Sequence, residues 1–309
     1  MNEPATIAKD KEACLMSRLD HSGEYGENTP VRKKKKGSKG LYYVILLVLI
    51  GVLVFSCVKI ISYFKKDHEQ SAISDDIFNE FITTDPSSGE TSTAPSGETA
   101  SSGETQTIEP QPDKISVNFT DMIAKYPDVV GYIYCANTRN TKGQYGINYP
   151  ILYTTEMVDY KGVREDKYLH HAIDGSENAN GAIFIEELCN PDFSSQNTII
   201  YGHNMKTGAM FQPLEFYKNQ YYYDAHPYMY IYTPTQNYRL DLFAGCVVEH
   251  NADIYATSVS QATLQNYVNN STFKSKTGVP TGNIVTLSTC SYEINNGRYV
   301  VLGELVPID

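Results

Sequence analysis

The chain has 309 residues and a net charge of −11, with 36 acidic and 25 basic side chains. Such an acidic chain argues against nucleic acid as a partner, because phosphate binding requires a basic face. The six cysteines form no CxxC pair and are too sparse for a disulfide framework, which argues against a zinc ribbon or a small disulfide-rich fold. No carboxylate cluster has metal-ligand spacing, so we expect no metal and no cofactor.

The composition divides the chain into four segments. Residues 1–40 are polar and rich in basic side chains, residues 41–64 are apolar, and residues 65–112 are acidic and low in complexity. Residues 113–309 mix apolar runs, turns and charges as a globular domain does. We predict a cytoplasmic N-terminus, a transmembrane helix, a disordered linker and one extracellular domain, in that order.

The apolar segment has the length of a membrane span. The run LYYVILLVLIGVLVFSCV at 41–58 contains no charge, and with residues up to Phe64 it reaches the ~20 residues that cross the bilayer core. A cleaved signal peptide would have a shorter core and a small-residue cleavage site, so we favour an uncleaved anchor. Basic residues at 32–36 precede it, and the positive-inside rule places the N-terminus in the cytoplasm and residues 67–309 outside.

The next segment has the composition of a disordered tether. It contains three SGET units, which start at Ser88, Ser96 and Ser102. Such a polar and acidic stretch cannot bury enough apolar surface to offset its ordering entropy. We therefore expect a flexible linker that keeps the domain close to the membrane.

The remaining residues predict a mainly β domain. Apolar spacing predicts a short amphipathic helix at 119–126, and helical stretches are expected at 208–217 and 258–270, the last with a serine cap. Eight β-type runs lie between turn signals, at residues 131–135, 149–153, 181–185, 197–201, 228–232, 238–248, 284–289 and 298–305. About eight such strands indicate a closed barrel or a sandwich.

Three residues at the ends of these strands could carry chemistry. Cys290 ends the run TLSTC, where it is either an exposed nucleophile or a buried strand cysteine. His203 follows the strand NTIIY in the sequence YGHNM, where it could exchange protons near neutral pH or be a solvated surface histidine. Arg298 opens the last strand, where it could bind a peptide carbonyl or an oxyanion beside the cysteine, or be a surface charge.

Together these motifs resemble a sortase. TLSTC at 286–290, an arginine opening the next strand, and NTIIYGHNMKTGAMF at 197–211 carry the resemblance. The class B branch is indicated by PDVVGYI at 127–133, YPIL at 149–152 and GAIFIE at 181–186.

The resemblance implies a closed eight-stranded β-barrel with an N-terminal helix and a helix inserted before the last two strands. It implies a membrane-anchored cysteine transpeptidase that cleaves the C-terminal sorting signal of a secreted protein after threonine. Cys290 would form the thioester, His203 would be the acid and base, and Arg298 would hold the substrate and the oxyanion. The acceptor would be an amine of a peptidoglycan precursor or a lysine of a pilin.

The substrate groove is expected to include four further residues. Ser288 and Thr289 precede the nucleophile, and Leu169 matches a groove position of the family. Tyr255 matches another groove position more loosely. The alternative for both Leu169 and Tyr255 is that each is only a core or surface residue.

Three alternatives remain open at this point. A tethered papain-like cysteine peptidase is disfavoured because the cysteine follows the histidine and ends a strand. An L,D-transpeptidase is disfavoured because its SHGC-type sequence is absent. A non-catalytic surface binding module would show no difference in reactivity between Cys290 and the other three cysteines of the domain.

Overall fold

A computed structural model describes residues 39–84, 114–135 and 146–309, and these fall into two units that divide between Ser56 and Cys57. The first helix, α1, runs from Lys39 to Phe81. Its segment Tyr42–Ser62 is long and apolar enough to cross a membrane. The predicted cytoplasmic segment up to residue 38 and the linker residues 85–113 lie outside the described residues.

Twelve strands are present in the described part of the chain. In chain order they are β1 Ile82–Thr84, β2 Ile115–Val117, β3 Val129–Tyr134, β4 Asn148–Leu152, β5 Met157–Tyr160, β6 Val163–Asp166, β7 Ile183–Ile185, β8 Asn197–Tyr201, β9 Tyr228–Tyr232, β10 Asn237–Glu249, β11 Ile284–Cys290 and β12 Gly297–Ile308. Eight of them close into a barrel in the order β10-β12-β11-β8-β7-β4-β3-β9. Each of the eight predicted β-type runs contributes one barrel strand, so the mainly β, eight-stranded barrel is confirmed.

The barrel core consists of aliphatic and aromatic side chains, many of them β-branched. Ile133, Ile199, Leu287 and Val301 are completely buried and belong to one apolar cluster. Such residues fit a pleated and buried surface, which is why runs rich in Val, Ile and Tyr become strands here. Two barrel pairings are parallel, β4 with β7 and β8 with β11, and the second of them positions the candidate site.

The remaining helices are short. In the described part of the chain they are the α-helices α2 Phe119–Lys125, α3 Gln220–Ala225 and α4 Gln261–Asn269, and the 3-10 helices Lys167–Leu169, Gln212–Lys218 and Asp253–Tyr255. The helix α4 precedes β11 and β12, as predicted, but it begins later than residue 258 and is capped by Ser260. The Val259 N–H donates to the Gln196 side chain instead of joining the helix.

The stretch predicted as a helix at 208–217 begins as a turn. Gly208 and Met210 have φ values of 92° and 60°, in the left-handed region that a right-handed helix cannot contain. The helical part therefore starts only at Gln212 and is of the 3-10 type, with a proline in its first turn.

The structure differs from the predicted linker over residues 65–84. These residues form the end of α1 and then β1, which pairs with β2 so that Thr84 lies opposite Ile115. Ile77 and Phe81 are buried in an apolar cluster of the domain, and Lys125 on α2 forms an ion pair with Glu80. The acidic composition of this segment makes its one apolar face difficult to recognise from the sequence. Residues 85–113 connect the two paired strands β1 and β2.

A second small sheet lies outside the barrel. It is the hairpin of β5 and β6, whose two-residue turn contains Lys161 and Gly162. Both turn residues have positive φ, 54° and 83°, as in a type I′ turn. This hairpin is not among the elements predicted from the sequence, and it leads into the 3-10 turn Lys167–Leu169 beside the candidate site.

Candidate active site

Cys290 is the last residue of β11 and lies where two ladders of the barrel meet. In the antiparallel ladder with β12 it lies opposite Arg298, and in the parallel ladder with β8 the last pair is Ser288 with Tyr201. The thiol is free and partly exposed. A partly exposed thiol at the end of a strand is accessible to a substrate, as a nucleophile must be.

His203 follows β8 by two residues. Ser288 pairs with Tyr201 in the parallel ladder of β11 and β8. Cys290 and His203 each follow this pair by two residues in the same direction, so they lie side by side. The Nε2 atom of His203 lies 2.7 Å from the carbonyl oxygen of Leu169. A carbonyl only accepts, so Nε2 carries the proton of this bond, and Nδ1 is the ring nitrogen that can take up a further proton.

A tight loop holds the histidine and the cysteine together. The Phe211 N–H donates to the His203 carbonyl at 2.9 Å, and Asn204 forms an isolated antiparallel bridge with Met210. The Asn204 side-chain amide donates to the Cys290 carbonyl at 2.7 Å. The loop that presents the imidazole therefore also fixes the backbone of the candidate nucleophile.

Arg298 is the second residue of β12 and is partly buried. Its Nη1 donates to the carbonyl of Gly297 at 3.0 Å. Among the residues that the structure describes, no carboxylate forms an ion pair with this guanidinium. A guanidinium has five N–H donors, so several remain for a substrate carbonyl or an oxyanion.

One cleft of about 260 Å³ contains all the residues singled out from the sequence. Its lining includes Cys290, His203 and Arg298, together with Leu169, Tyr255, Ser288 and Thr289. The catalytic and substrate-binding roles of these seven residues stay predictions. Within the described ranges, no three His, Cys, Asp or Glu side chains are grouped as metal ligands would be.

The hydroxyl groups in the wall of the cleft are engaged with other protein groups. Ser288 and Thr289 are only 1% and 2% exposed. The hydroxyls of Ser288 and Tyr255 share a hydrogen bond at 2.8 Å, and the Thr289 hydroxyl donates to the Gly202 carbonyl at 2.8 Å. These three side chains therefore stabilise the wall of the cleft beside the thiol.

The cleft also contains residues that the sequence analysis missed. They are Asp166, Phe184, Glu186, Tyr201, Gly202 and His250. The Tyr201 hydroxyl donates to Glu186 at 2.9 Å, and its ring stacks on that of Tyr255. Glu186 directly follows the buried strand β7. A charged residue at the end of a buried strand was the sequence feature that could have indicated a position in the cleft.

The cleft carries charges of both signs. Burial raises the pKa of Asp166, and the neighbouring charges of Glu186 and Glu187 raise it further. Burial also raises the pKa of Tyr255, which the charge of Arg298 opposes. The phenol of Tyr255 is therefore protonated at neutral pH and can donate a hydrogen bond.

The other cysteines of the domain lie in the core. Cys135, Cys189 and Cys246 are each buried, in contrast to Cys290. Burial raises the pKa of the Cys189 thiol, and it raises that of Cys246 to about 11. A buried thiol with a raised pKa is a poor nucleophile, so among the described cysteines of the domain Cys290 is the one placed to react.

Comparisons with known proteins place these features in a family. The model of the Sortase domain family matches residues 158–306. Sortase B of Listeria monocytogenes is 34% identical over 189 residues, which cover 58% of this chain and 70% of that protein.

Solved structures agree with this similarity. The crystal structure of sortase B from B. anthracis in complex with AAEK1 has a TM-score of 0.57 and 24% identity, over 81% of this chain and all of that one. The Staphylococcus aureus sortase B–substrate complex has a TM-score of 0.52 and 25% identity, over 62% of this chain and 85% of that one. The first of these likenesses concerns the fold alone.

Proposed function

The chain belongs to the sortase family, in its class B branch, and is a cysteine transpeptidase; from this premise we propose that Cys290, His203 and Arg298 carry its reaction. The observation that carries the proposal is the direct pairing of Cys290 with Arg298 beside the loop of His203, in one cleft. The three side chains belong to three neighbouring segments of the barrel, and so their spacing is set by strand register.

The first half of the reaction forms a thioester. The proton of the Cys290 thiol passes to His203, the sulfur attacks the carbonyl carbon of a threonine in the sorting signal, and the carbonyl oxygen becomes an oxyanion. The guanidinium of Arg298 donates hydrogen bonds to this oxyanion. The C–N bond then breaks, and His203 gives a proton to the leaving amine.

The second half transfers the acyl group to an acceptor amine. A thioester keeps its acyl-transfer potential, so an amine can take the place of water. His203 accepts the proton of the incoming amine as the C–N bond forms, and it returns that proton to the Cys290 sulfur as the sulfur leaves. We propose that the acceptor is an amine of a peptidoglycan precursor and that Leu169, Tyr255, Ser288 and Thr289 shape the substrate groove.

The proposed location is the outer face of the cell membrane. The apolar segment Tyr42–Ser62 supports a single membrane span, and the basic residues that precede it support a cytoplasmic N-terminus. In this arrangement residues 67–309 meet secreted proteins and wall precursors outside the membrane.

The experiment uses the full chain in detergent micelles and a library of quenched fluorescent peptides of the sorting-signal type. We expect the chain to cut after threonine and to join the acyl fragment to triglycine when that amine is added. Parallel reactions with a lysine-containing peptide as acceptor test the pilin alternative. A clear preference for the lysine side chain over triglycine would contradict the peptidoglycan acceptor and support a pilin lysine as the acceptor.

Three variants test the assigned roles. Cys290→Ala and His203→Ala should abolish cleavage, and Arg298→Lys should lower kcat/KM by about 100- to 1,000-fold because the fork of donors is lost. Arg239→Lys is the matched control, since Arg239 lies on β10 and pairs with Asp241. Full activity of Cys290→Ala would refute the proposed role of Cys290.

A further inference from the structure

The imidazole of His203 belongs to a larger aromatic array. The ring of His170 stacks on that of Tyr160, with centroids 4.0 Å apart, and on that of His203, with centroids 5.7 Å apart. The interplanar angle is 25° in both pairs. We call Tyr160, His170 and His203 the aromatic array.

The hairpin outside the barrel holds the middle ring of this array. Tyr160 ends β5, and Glu165 lies on β6 with Oε1 at 3.3 Å from Nε2 of His170. Both Glu165 and His170 are largely buried, with side chains 16% and 22% exposed. His170 directly follows Leu169, whose carbonyl binds His203.

The surroundings of His170 favour the neutral form of its imidazole. Burial lowers its pKa, the carboxylate of Glu165 opposes this, and His203, Lys161 and His171 lower the pKa further. A neutral ring can stack on the catalytic imidazole in each of its protonation states without charge repulsion. The array therefore tolerates the proton changes that acid–base catalysis imposes on His203.

A single hydrogen bond does not fix the plane of an imidazole. The hydrogen bond from Nε2 of His203 to the Leu169 carbonyl fixes the position of one ring atom. The ring plane can still rotate about that contact. Stacking on His170 restricts this rotation and so fixes the direction of Nδ1. Proton transfer needs hydrogen-bond geometry, and small misplacements of a catalytic group cost large factors in rate.

We propose that His170 is a positioning residue for His203 and that Tyr160 and Glu165 of the β5–β6 hairpin hold it in place. The inference rests on the proposed role of His203 as the acid and base. It gives the hairpin a role in catalysis, although the hairpin contributes no strand to the barrel.

The test compares His170→Ala with His170→Phe in the full chain in detergent micelles. The substrate is the quenched peptide that the wild-type chain cleaves fastest, with triglycine as the acceptor. We expect His170→Ala to lower kcat by about 10- to 100-fold with KM changed less than about 2-fold. His170→Phe keeps a ring for stacking and should recover most of kcat.

Two further variants complete the test. Glu165→Gln should lower kcat by a few-fold, and the matched control His171→Ala should leave it unchanged, since its ring bonds the Lys167 carbonyl and is not stacked on His203. If His170→Ala does not fold, His170→Phe decides alone: near wild-type kcat supports the inference, and a large loss overturns it.

The outcomes separate this inference from the proposed function. Wild-type kcat in His170→Ala, together with an inactive His203→Ala, would overturn the positioning role and leave the proposed function intact. An equal loss of kcat in His170→Phe and His170→Ala would also overturn it. Activity that survives in His203→Ala would instead refute the proposed acid–base residue.

Discussion

Cys290 and Arg298 are directly paired residues of the antiparallel ladder between β11 and β12. Their proximity is a consequence of strand register, since a six-residue connection returns the chain to the same end of the barrel. A slip of one residue would turn one of the two side chains to the opposite face of the sheet. The relative position of these two groups is therefore built into the most regular part of the fold.

Gly202 lies between β8 and His203, where a side chain has no room. A Cβ atom there would lie against Ile183 and within 2.7 Å of Phe211. We expect Gly202→Ala to lower the free energy of unfolding by about 1–3 kcal/mol and to displace His203, with a large loss of kcat.

The control for this prediction is Gly278→Ala, because a Cβ at Gly278 would have nothing within 4 Å. Urea unfolding and peptide cleavage are measured for both variants. Equal stability and equal activity of Gly202→Ala and Gly278→Ala would contradict the tight packing beneath the histidine.

The hydrogen bond from Asn204 to the Cys290 carbonyl should matter for the rate. Asn204→Ala removes a bond worth about 0.5–1.5 kcal/mol and loosens the backbone of the candidate nucleophile. We expect kcat/KM for peptide cleavage to fall by about 3- to 10-fold. Asn269→Ala, at the exposed end of α4, is the control, and an equal effect of both substitutions would count against this role.

The partly buried imidazole of His170 predicts a dependence of stability on pH. Because burial lowers its pKa, the unfolded chain takes up this proton more readily than the folded chain. The contribution to stability is therefore full above the ordinary value of 6.5 and declines as the pH falls through and below that value. Urea unfolding of wild type and His170→Phe at about pH 7.5 and about pH 5 measures it.

We expect the stability of wild type relative to His170→Phe to be lower at the acidic pH. A difference that is the same at both pH values would show that His170 does not bind a proton differently in the folded and unfolded chains.

The end of α1 and strand β1 should be part of the folded domain. Ile77 and Phe81 are 3% and 4% exposed, and burying each such side chain contributes about 1.5–3 kcal/mol. The free energy of unfolding of a chain that begins at Asp113 should therefore be about 3–6 kcal/mol lower than that of a chain that begins at Asp67. Equal urea midpoints for the two chains would contradict the packing of this helix end.

The sequence predicts the barrel well because each of its strands is locally marked. Runs such as NTIIY and IVTLSTC combine β-branched residues with turn residues at their ends, so propensity and burial agree. The hairpin β5–β6 is missed because MVDY and VRED are short and have no strict alternation. Its turn at Lys161–Gly162 was the one local signal, because Gly readily adopts the required positive φ.

The helix end at Ile77 and Phe81 is missed for another reason. Its acidic composition resembles that of the following segment, and only the spacing of the apolar residues distinguishes it.

The candidate site likewise has residues that the sequence predicts and a contact that it does not. Cys290, His203 and Arg298 are marked by strand ends and motifs, whereas the contact of His170 with His203 depends on the folded hairpin.

The measurement that tests the central claim most directly is mass spectrometry of the chain during turnover. The full chain in micelles is mixed with a cleavable sorting-signal peptide without acceptor, quenched in acid and digested. We predict one adduct, on Cys290, with the mass of the peptide fragment that ends at threonine, and its loss when triglycine is added before the quench. Cleavage of the peptide with no adduct on Cys290, or with an adduct on another cysteine, would contradict the account.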